Sequence, residues 1–414
     1  MKSCLPQAWT ACDPPRMAIR IGNGVTVMNQ QVLLAGVGVT PFVPLGQGDA
    51  RALAVCAVRM AMADASIDFE LIDHIVLACA QGGAGNGEQL LAPLGFSGIP
   101  LINLSDGCAS GHAAFHLARQ SLLSGESACA LVVGCDAMPV EIGSHAFFGL
   151  REPSPDSPCQ AVGGGLLQQR IASRQQPLEL YAAQTRQLLQ DFGLSAECLQ
   201  QVLNAARQRA LLDPSALLAG LPGSGWQQPY LATPACGAAA LMMCTPAFAR
   251  RYGIQADIAC LASLRGADFD DDLDPPSVFD ALGRSTTHRL VRQIYDQAGL
   301  GPEDVDVVEL HDQSVGDYLI NSAALGFCRD EQLVSFAQDG FGRSPGGAVI
   351  CPSGGLLGRG HAPGATAIAQ LVELSLQLSG RAGARQVTHA RTALQHSMAL
   401  GRAVSLTLLQ RTSS

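Results

Sequence analysis

None of the fourteen cysteines in this 414-residue chain are spaced Cys-x-x-Cys, which argues against a zinc ribbon or a secreted disulfide framework. Most of them, including Cys56, Cys79, Cys129, Cys135, Cys244 and Cys260, lie inside apolar stretches, as buried reduced thiols would. No apolar run is long enough for a membrane span. A net charge of −9 and no basic stripe argue against a nucleic-acid partner. There is also no Gly-x-Gly-x-x-Gly or Walker loop to cradle a phosphate. Residues 1–28 lack the apolar core of a signal peptide and read as a disordered N-terminal extension. The final Arg-Thr-Ser-Ser matches no peroxisomal address, so a cytoplasmic location is expected. The 48% apolar and 15% charged composition is that of a well-buried globular enzyme.

The most informative stretch surrounds Cys108, in Leu101-Ile-Asn-Leu-Ser-Asp-Gly-Cys-Ala-Ser-Gly-His. An apolar strand precedes it and an Ala/Leu-rich helix follows from Ala109 to Leu123. At such a junction free N–H groups and the helix dipole stabilise a thiolate. The small Gly107, Ala109, Ser110 and Gly111 would let a substrate approach the backbone. Together these features suit a covalent nucleophile. Two histidine-bearing stretches stand far along the chain. His311 follows an apolar strand in Val307-Val-Glu-Leu-His-Asp-Gln-Ser, and His361 lies in the glycine-dense Pro352-Ser-Gly-Gly-Leu-Leu-Gly-Arg-Gly-His-Ala-Pro-Gly-Ala-Thr. His112 and His116, on the helix after Cys108, read as packing or surface residues.

The chain also repeats itself. Residues 64–77 align without a gap on 297–310, with Glu70 on Glu303, Asp73 on Asp306 and apolar positions in register. Each copy reads as a helix end, a turn and a buried strand. The helix after Cys108 ends Leu-Leu-Ser-Gly-Glu at 122–126 and the one after His361 ends Gln-Leu-Ser-Gly-Arg at 377–381. The duplication implies two packed α/β halves with mixed sheets, the nucleophile of one facing the histidines of the other. The first half spans 29–138 and 229–280, closing on a strand near Asp257–Ser263, and the second spans 281–414. Between 139 and 228 the chain is rich in Gln, Pro and Gly, with amphipathic helices at Leu178–Phe192 and Leu199–Leu212. The acidic run from Asp268 to Asp274 reads as a solvated linker, since it lacks the glycine and terminal glutamate of a calcium loop.

Taken together, Cys-Ala-Ser-Gly at 108–111, His-Asp at 311–312 and the Ser-Gly-Gly…Gly-His loop at 353–361 resemble the thiolase superfamily, and most closely its sterol-carrier-protein type. The likeness runs from about Val32 to Leu409. It implies a duplicated α/β thiolase fold, two βαβαβαββ-type halves in five αβαβα layers, with 139–228 as a loop domain over the substrate pocket. It implies an acyltransferase in which Cys108 takes an acyl group from a coenzyme A or acyl-carrier-protein thioester. His361 would accept the thiol proton, and His311 would polarise the thioester oxygen of the second substrate. Backbone N–H groups of Cys108 and of the turn at Leu400-Gly401 would form an oxyanion hole, while Gln313, Ser353, Gly354 and Gly401 would line the substrate site. No metal and no permanently bound cofactor are implied. A homodimer is expected, with the apolar strand Ala128–Gly134 near its seam.

The second base of the family is missing from both of its usual seats. One seat is Gln313, a neutral amide, and the other reads His396-Ser397 with no cysteine. Cys351 could supply a base from a new direction, although Val349 and Ile350 mark it as a core thiol. Alternatively no base is needed, as in decarboxylative condensation or simple acyl transfer. A third reading is a partner-dependent subunit, working with a small OB-fold protein as some relatives do. Carbon–carbon-cleaving retro-aldolases of this type generally lack the nucleophilic cysteine, so Cys108 counts against that activity here.

Overall fold

The computed structural model describes residues 31–80, 87–95, 98–148, 177–217, 230–267, 277–339, 342–400 and 403–412. The N-terminal extension, Gly401, the acidic run and parts of the loop domain lie outside them. Among the described residues no helix is long and apolar enough to cross a membrane.

Ten strands form one sheet: β1 Val32–Val39, β2 His74–Ala78, β3 Leu101–Leu104, β4 Cys129–Asp136, β5 Gly237–Cys244, β6 Ile258–Ala267, β7 Val307–Glu309, β8 Val349–Ile350, β9 Thr392–Ala399 and β10 Ala403–Arg411. Their order is β3-β2-β4-β5-β1-β6-β10-β9-β7-β8. Numbered within each half, both sets of five read 3-2-4-5-1, so the sequence repeat is a repeat of topology. The sets meet head to head through a short antiparallel pairing of Val32–Leu34 with Ile258–Cys260. The two expected sheets are thus hydrogen-bonded into one. Since Ile258–Ala267 opens the second set, we propose that the halves divide before Ile258 rather than at 280.

The major helices are α1 Ala50–Ala65, α2 Ser110–Ser124, α3 Pro177–Asp191, α4 Ala196–Ala210, α5 Arg284–Ala298, α6 Val315–Ala324, α7 Gly355–Arg359 and α8 Pro363–Leu378. Their packing generates the five layers. In β4, Leu131 and Val133 join α1 residues Ala57, Val58 and Ala61 in one core. The alternate residues Ala130 and Val132 join Phe115 of α2 and Ile368 and Leu371 of α8 in another. This central core also takes Val307, Ala393 and Leu409 from the second half, so α2 and α8 lie between the two halves of the sheet. A third core packs Leu290, Val291 and Ile294 of α5 and Leu319 of α6 on the far side. Strands covered on both faces need apolar residues at every position, which explains the unbroken apolar runs in the sequence. Each fully buried Leu or Val contributes about 1.5–3 kcal/mol.

β4 is hydrogen-bonded on both sides, to β2 and to β5, so the Ala128–Gly134 segment cannot supply an open edge for a dimer seam. Among the described residues the outermost strand of the first half is β3, which pairs only with β2 and leaves Ile102 39% exposed.

Candidate active site

Cys108 lies on the turn between β3 and α2, and Gly107 takes the left-handed conformation (φ +53°) that turns the chain. Ser110 holds this turn. Its hydroxyl accepts from the Asp106 N–H at 2.7 Å and donates to the Gly107 carbonyl at 2.6 Å. Gly111 is small for a different reason than substrate access. A Cβ there would stand 2.8 Å from the Gly364 carbonyl, so the glycine lets α2 seat against the start of α8.

His361 sits between α7 and α8, clamped to the segment before β5. Its N–H donates to the Thr233 carbonyl at 2.8 Å and its carbonyl accepts from Ala235 N–H at 2.9 Å. The start of α8 is held from the other half: the Gly364 N–H donates to the buried carboxylate of Asp136 at the end of β4. On the ring, Nδ1 lies 2.9 Å from Thr366 Oγ1, while Nε2 is buried with no hydrogen-bond partner among the described residues.

His311 follows β7. Its N–H donates to His396 Nδ1 at 3.3 Å, and its carbonyl accepts from the Asn321 amide at 3.3 Å. Next to it, Asp312 accepts from the Leu356 and Leu357 N–H groups at 2.7 and 3.4 Å and so caps α7, tying the two histidine loops together. The His311 and His361 rings meet edge to face with centroids 5.2 Å apart. A sulfur of Cys108 and a ring nitrogen of each histidine all lie within 4.8 Å of one another, and all three residues are buried. The chain thus brings together the three residues expected to react, from segments more than 200 positions apart in the extreme. Burial pushes the His311 imidazole down to about 3 and holds His361 well below its ordinary value, so both rings are neutral near pH 7. A sulfur and two imidazole nitrogens are also a donor set that zinc accepts.

The other expected residues stand differently. Ser353 is fully buried: its N–H donates to Glu309 at 3.2 Å and its hydroxyl accepts from Gly355 N–H at 3.2 Å, a structural role. Gly354 (φ +91°) packs beneath α4, where a Cβ would stand 2.7 Å from the Ala206 carbonyl. Gln313 is buried with both side-chain amide atoms unpartnered among the described residues, and its carbonyl accepts from Ala232 N–H at 2.8 Å. Cys351 is fully buried with its thiol towards the Leu310 carbonyl, and burial beside Asp312 and Glu309 raises its pKa well above the ordinary range. His396 is satisfied at both nitrogens, by His311 N–H and by Thr287 Oγ1 at 3.2 Å. His112 and His116, read as packing or surface residues, bond to Thr407 and Ser263, the first buried and the second partly buried.

Sequence reasoning missed Asp136, Thr366 and Asn321, and the row of rings beside the nucleophile. Phe147 meets His361 edge-on at 5.4 Å, Phe148 meets Phe147 at 5.2 Å, and Tyr181 lies 5.8 Å from Phe148. Of these, only Asp136 left a trace, as an acid closing an otherwise apolar strand.

Comparison with known proteins bears on the family and the fold. Residues 278–410 match the family model Thiolase C-terminal domain-like, and residues 90–165 match Beta-ketoacyl synthase, N-terminal domain. Sterol carrier protein 2 of Homo sapiens is 30% identical over 396 residues, covering 92% of this chain and 72% of that protein. Benzoylsuccinyl-CoA thiolase subunit BbsB of Thauera aromatica is 26% identical over 384 residues, covering 89% of this chain and 94% of that one. Among solved structures, an Ltp2-ChsH2(DUF35) aldolase superposes with a TM-score of 0.72 at 18% identity, over 94% of this chain and all of that one.

Proposed function

The chain belongs to the thiolase superfamily, in its sterol-carrier-protein branch, and on that footing we propose that it is an acyltransferase working through an acyl-Cys108 intermediate. The observation that carries this reading is the meeting of Cys108, His311 and His361 within 4.8 Å in a buried site. The Cys108 thiol gives its proton to neutral His361 and attacks the thioester carbonyl of an acyl-CoA or acyl-carrier-protein donor. The tetrahedral intermediate collapses, the acyl group stays on sulfur, and the leaving thiolate takes up the proton from His361. His311, edge-on to His361, donates to the thioester oxygen of the incoming substrate.

For the second half-reaction the site offers little to remove an α-proton. Gln313 is an amide, His396 is bonded at both nitrogens, and Cys351 is a buried thiol turned towards a carbonyl. A donor that brings its own carbanion by losing carbon dioxide, or an acceptor that arrives activated, suits these groups. We infer a Claisen-type condensation of that kind, or simple acyl transfer. The aldolase neighbour raises the carbon–carbon-cleaving reading, but at 18% identity it speaks for the fold alone, and a buried cysteine paired with histidine is not needed for retro-aldol chemistry. That neighbour is named for two components, one of them DUF35, and a small OB-fold partner remains part of this proposal. So does a homodimer, built on the open β3 edge.

Single-turnover release of coenzyme A tests the proposal. The wild type should release one equivalent per Cys108, and His361→Ala should slow that release by about 10²–10⁴-fold. Equal rates in the two proteins would overturn it. Release should persist in a chelator, and its loss there would mean that the three donors serve a metal instead.

A further inference from the structure

α3 comes from the segment inserted into the first half, and its buried stripe is Leu180, Tyr181, Gln184 and Leu188. Three of these are ordinary core residues. The fourth is an amide, 1% exposed, with both ends bonded to the second half of the molecule. Gln184 Nε2 donates to Asp317 Oδ1 at 2.8 Å, and Ser314 Oγ donates to Gln184 Oε1 at 2.6 Å. Ser314 also caps α6 by accepting from the Asp317 N–H at 2.8 Å, so Gln184 closes a three-membered ring of bonds over the first turn of that helix. Gly316 lies inside the ring, and a Cβ at this position would collide with the Gln184 amide. These groups are paired only while α3 is seated, because a buried amide and carboxylate left without partners are costly. Burial lifts the Asp317 carboxyl to about 7, in keeping with a group that has left water for this contact.

The contact bears on the reactive site from both of its ends. α6 begins immediately after His311-Asp-Gln-Ser, so the ring fastens α3 to the segment that carries His311. One turn back on the same face of α3, Tyr181 belongs to the apolar cluster of Cys108, Phe147, Phe148, Leu180 and Leu400. Its ring completes the row His311, His361, Phe147, Phe148, Tyr181. Burial above all, and then the charges of Asp317 and Cys108, hold the Tyr181 phenol well above its ordinary pKa. The residues around the sulfur are nearly closed to solvent: Phe148 is 2%, Tyr181 3% and Leu400 3% exposed.

We propose that Gln184 is a positioning residue that sets acyl selectivity: by clasping Ser314 and Asp317 over Gly316 it fixes Tyr181 as a wall beside Cys108, restricting the site to short acyl groups. This rests on the acyl-Cys108 reading. It attributes the choice of substrate to a contact between the inserted helix and the opposite half, and not only to the residues lining the pocket.

Two independent lesions test it in the full-length protein. Gln184→Met keeps the bulk and loses both hydrogen bonds, while Gly316→Ala pushes the amide out and leaves it chemically intact. Each should lower the ratio of acetyl to octanoyl transfer onto Cys108 by about 10-fold or more, the scale on which an apolar pocket discriminates. The double variant should be no worse than either single one, because both break one contact. Amide exchange across residues 177–191 should quicken in both, with β4 protection unchanged as the control for folding. Unchanged exchange in both variants would overturn the clasp. Faster exchange with an unaltered chain-length ratio would overturn its role in selectivity. A wild type that no thioester acylates would overturn the acyl-enzyme reading and the selectivity claim with it, while the exchange arm would still judge the clasp.

Discussion

Thr366 decides which nitrogen of His361 carries the proton. Its hydroxyl has one hydrogen, and the Ala362 carbonyl 2.9 Å away is placed to accept it. The same oxygen accepts from the Ala362 N–H at 3.1 Å, so it meets His361 Nδ1 as an acceptor. His361 is then protonated on Nδ1, and the unpartnered Nε2 presents its lone pair to the site. Thr366→Val keeps the shape and frees the ring to take the other tautomer, so coenzyme A release should slow by about 10²-fold with the fold intact. A rate within about twofold of wild type would show that the tautomer is set elsewhere. At this scale Cys108 and His361 were legible because each sits in a motif dense in small residues, and His311 because it closes an apolar strand. The roles expected of Ser353 and Gly354 were not: a sequence does not say whether a glycine makes room for a substrate or for a neighbouring helix, and Gly354 makes room for α4.

The repeat can be followed down to single hydrogen bonds between elements. Asp73 ends the turn before β2 and accepts from the Ala128 and Cys129 N–H groups at 2.9 and 3.1 Å, fixing the start of β4. Its counterpart Asp306 accepts from Arg391 and Thr392 N–H groups at 2.8 and 3.0 Å, fixing the start of β9. β4 and β9 hold the same place in the strand order of the two halves, so the aligned aspartates perform one task twice. Asp306→Ala removes the acceptor of two N–H groups and should cost about 1–2 kcal/mol, read from the urea midpoint. A loss below about 0.3 kcal/mol would mean that the bonds are replaced by water at no cost. The repeat was visible because its two copies align without a gap. The pairing of β6 was not, because partners are set by contacts far apart in the chain, and Ile258–Ala267, next in sequence to the first set of strands, stands in the strand order at the head of the second.

Across the whole molecule, two halves of one sheet enclose α2 and α8, and Cys108, His311 and His361 come together from loops of both halves. Duplication was readable from self-similarity, and the layering came only with the family resemblance. The location of the open edge required strand order, which moved the expected seam from β4 to β3. A strand edge left unpaired is a template for a second copy. The protein should therefore be a symmetric dimer by light scattering at micromolar concentration, and Ile102→Lys should shift it towards monomer. A wild-type monomer under those conditions would remove β3 as an interface.

The central claim is that the acyl group passes through Cys108, and mass spectrometry after mixing the protein with acetyl-CoA tests it most directly. The account predicts one acetyl adduct, mapped to the peptide bearing Cys108 and absent from Cys108→Ala. An adduct that survives in Cys108→Ala, or acetyl transfer with Cys108 never modified, would contradict it.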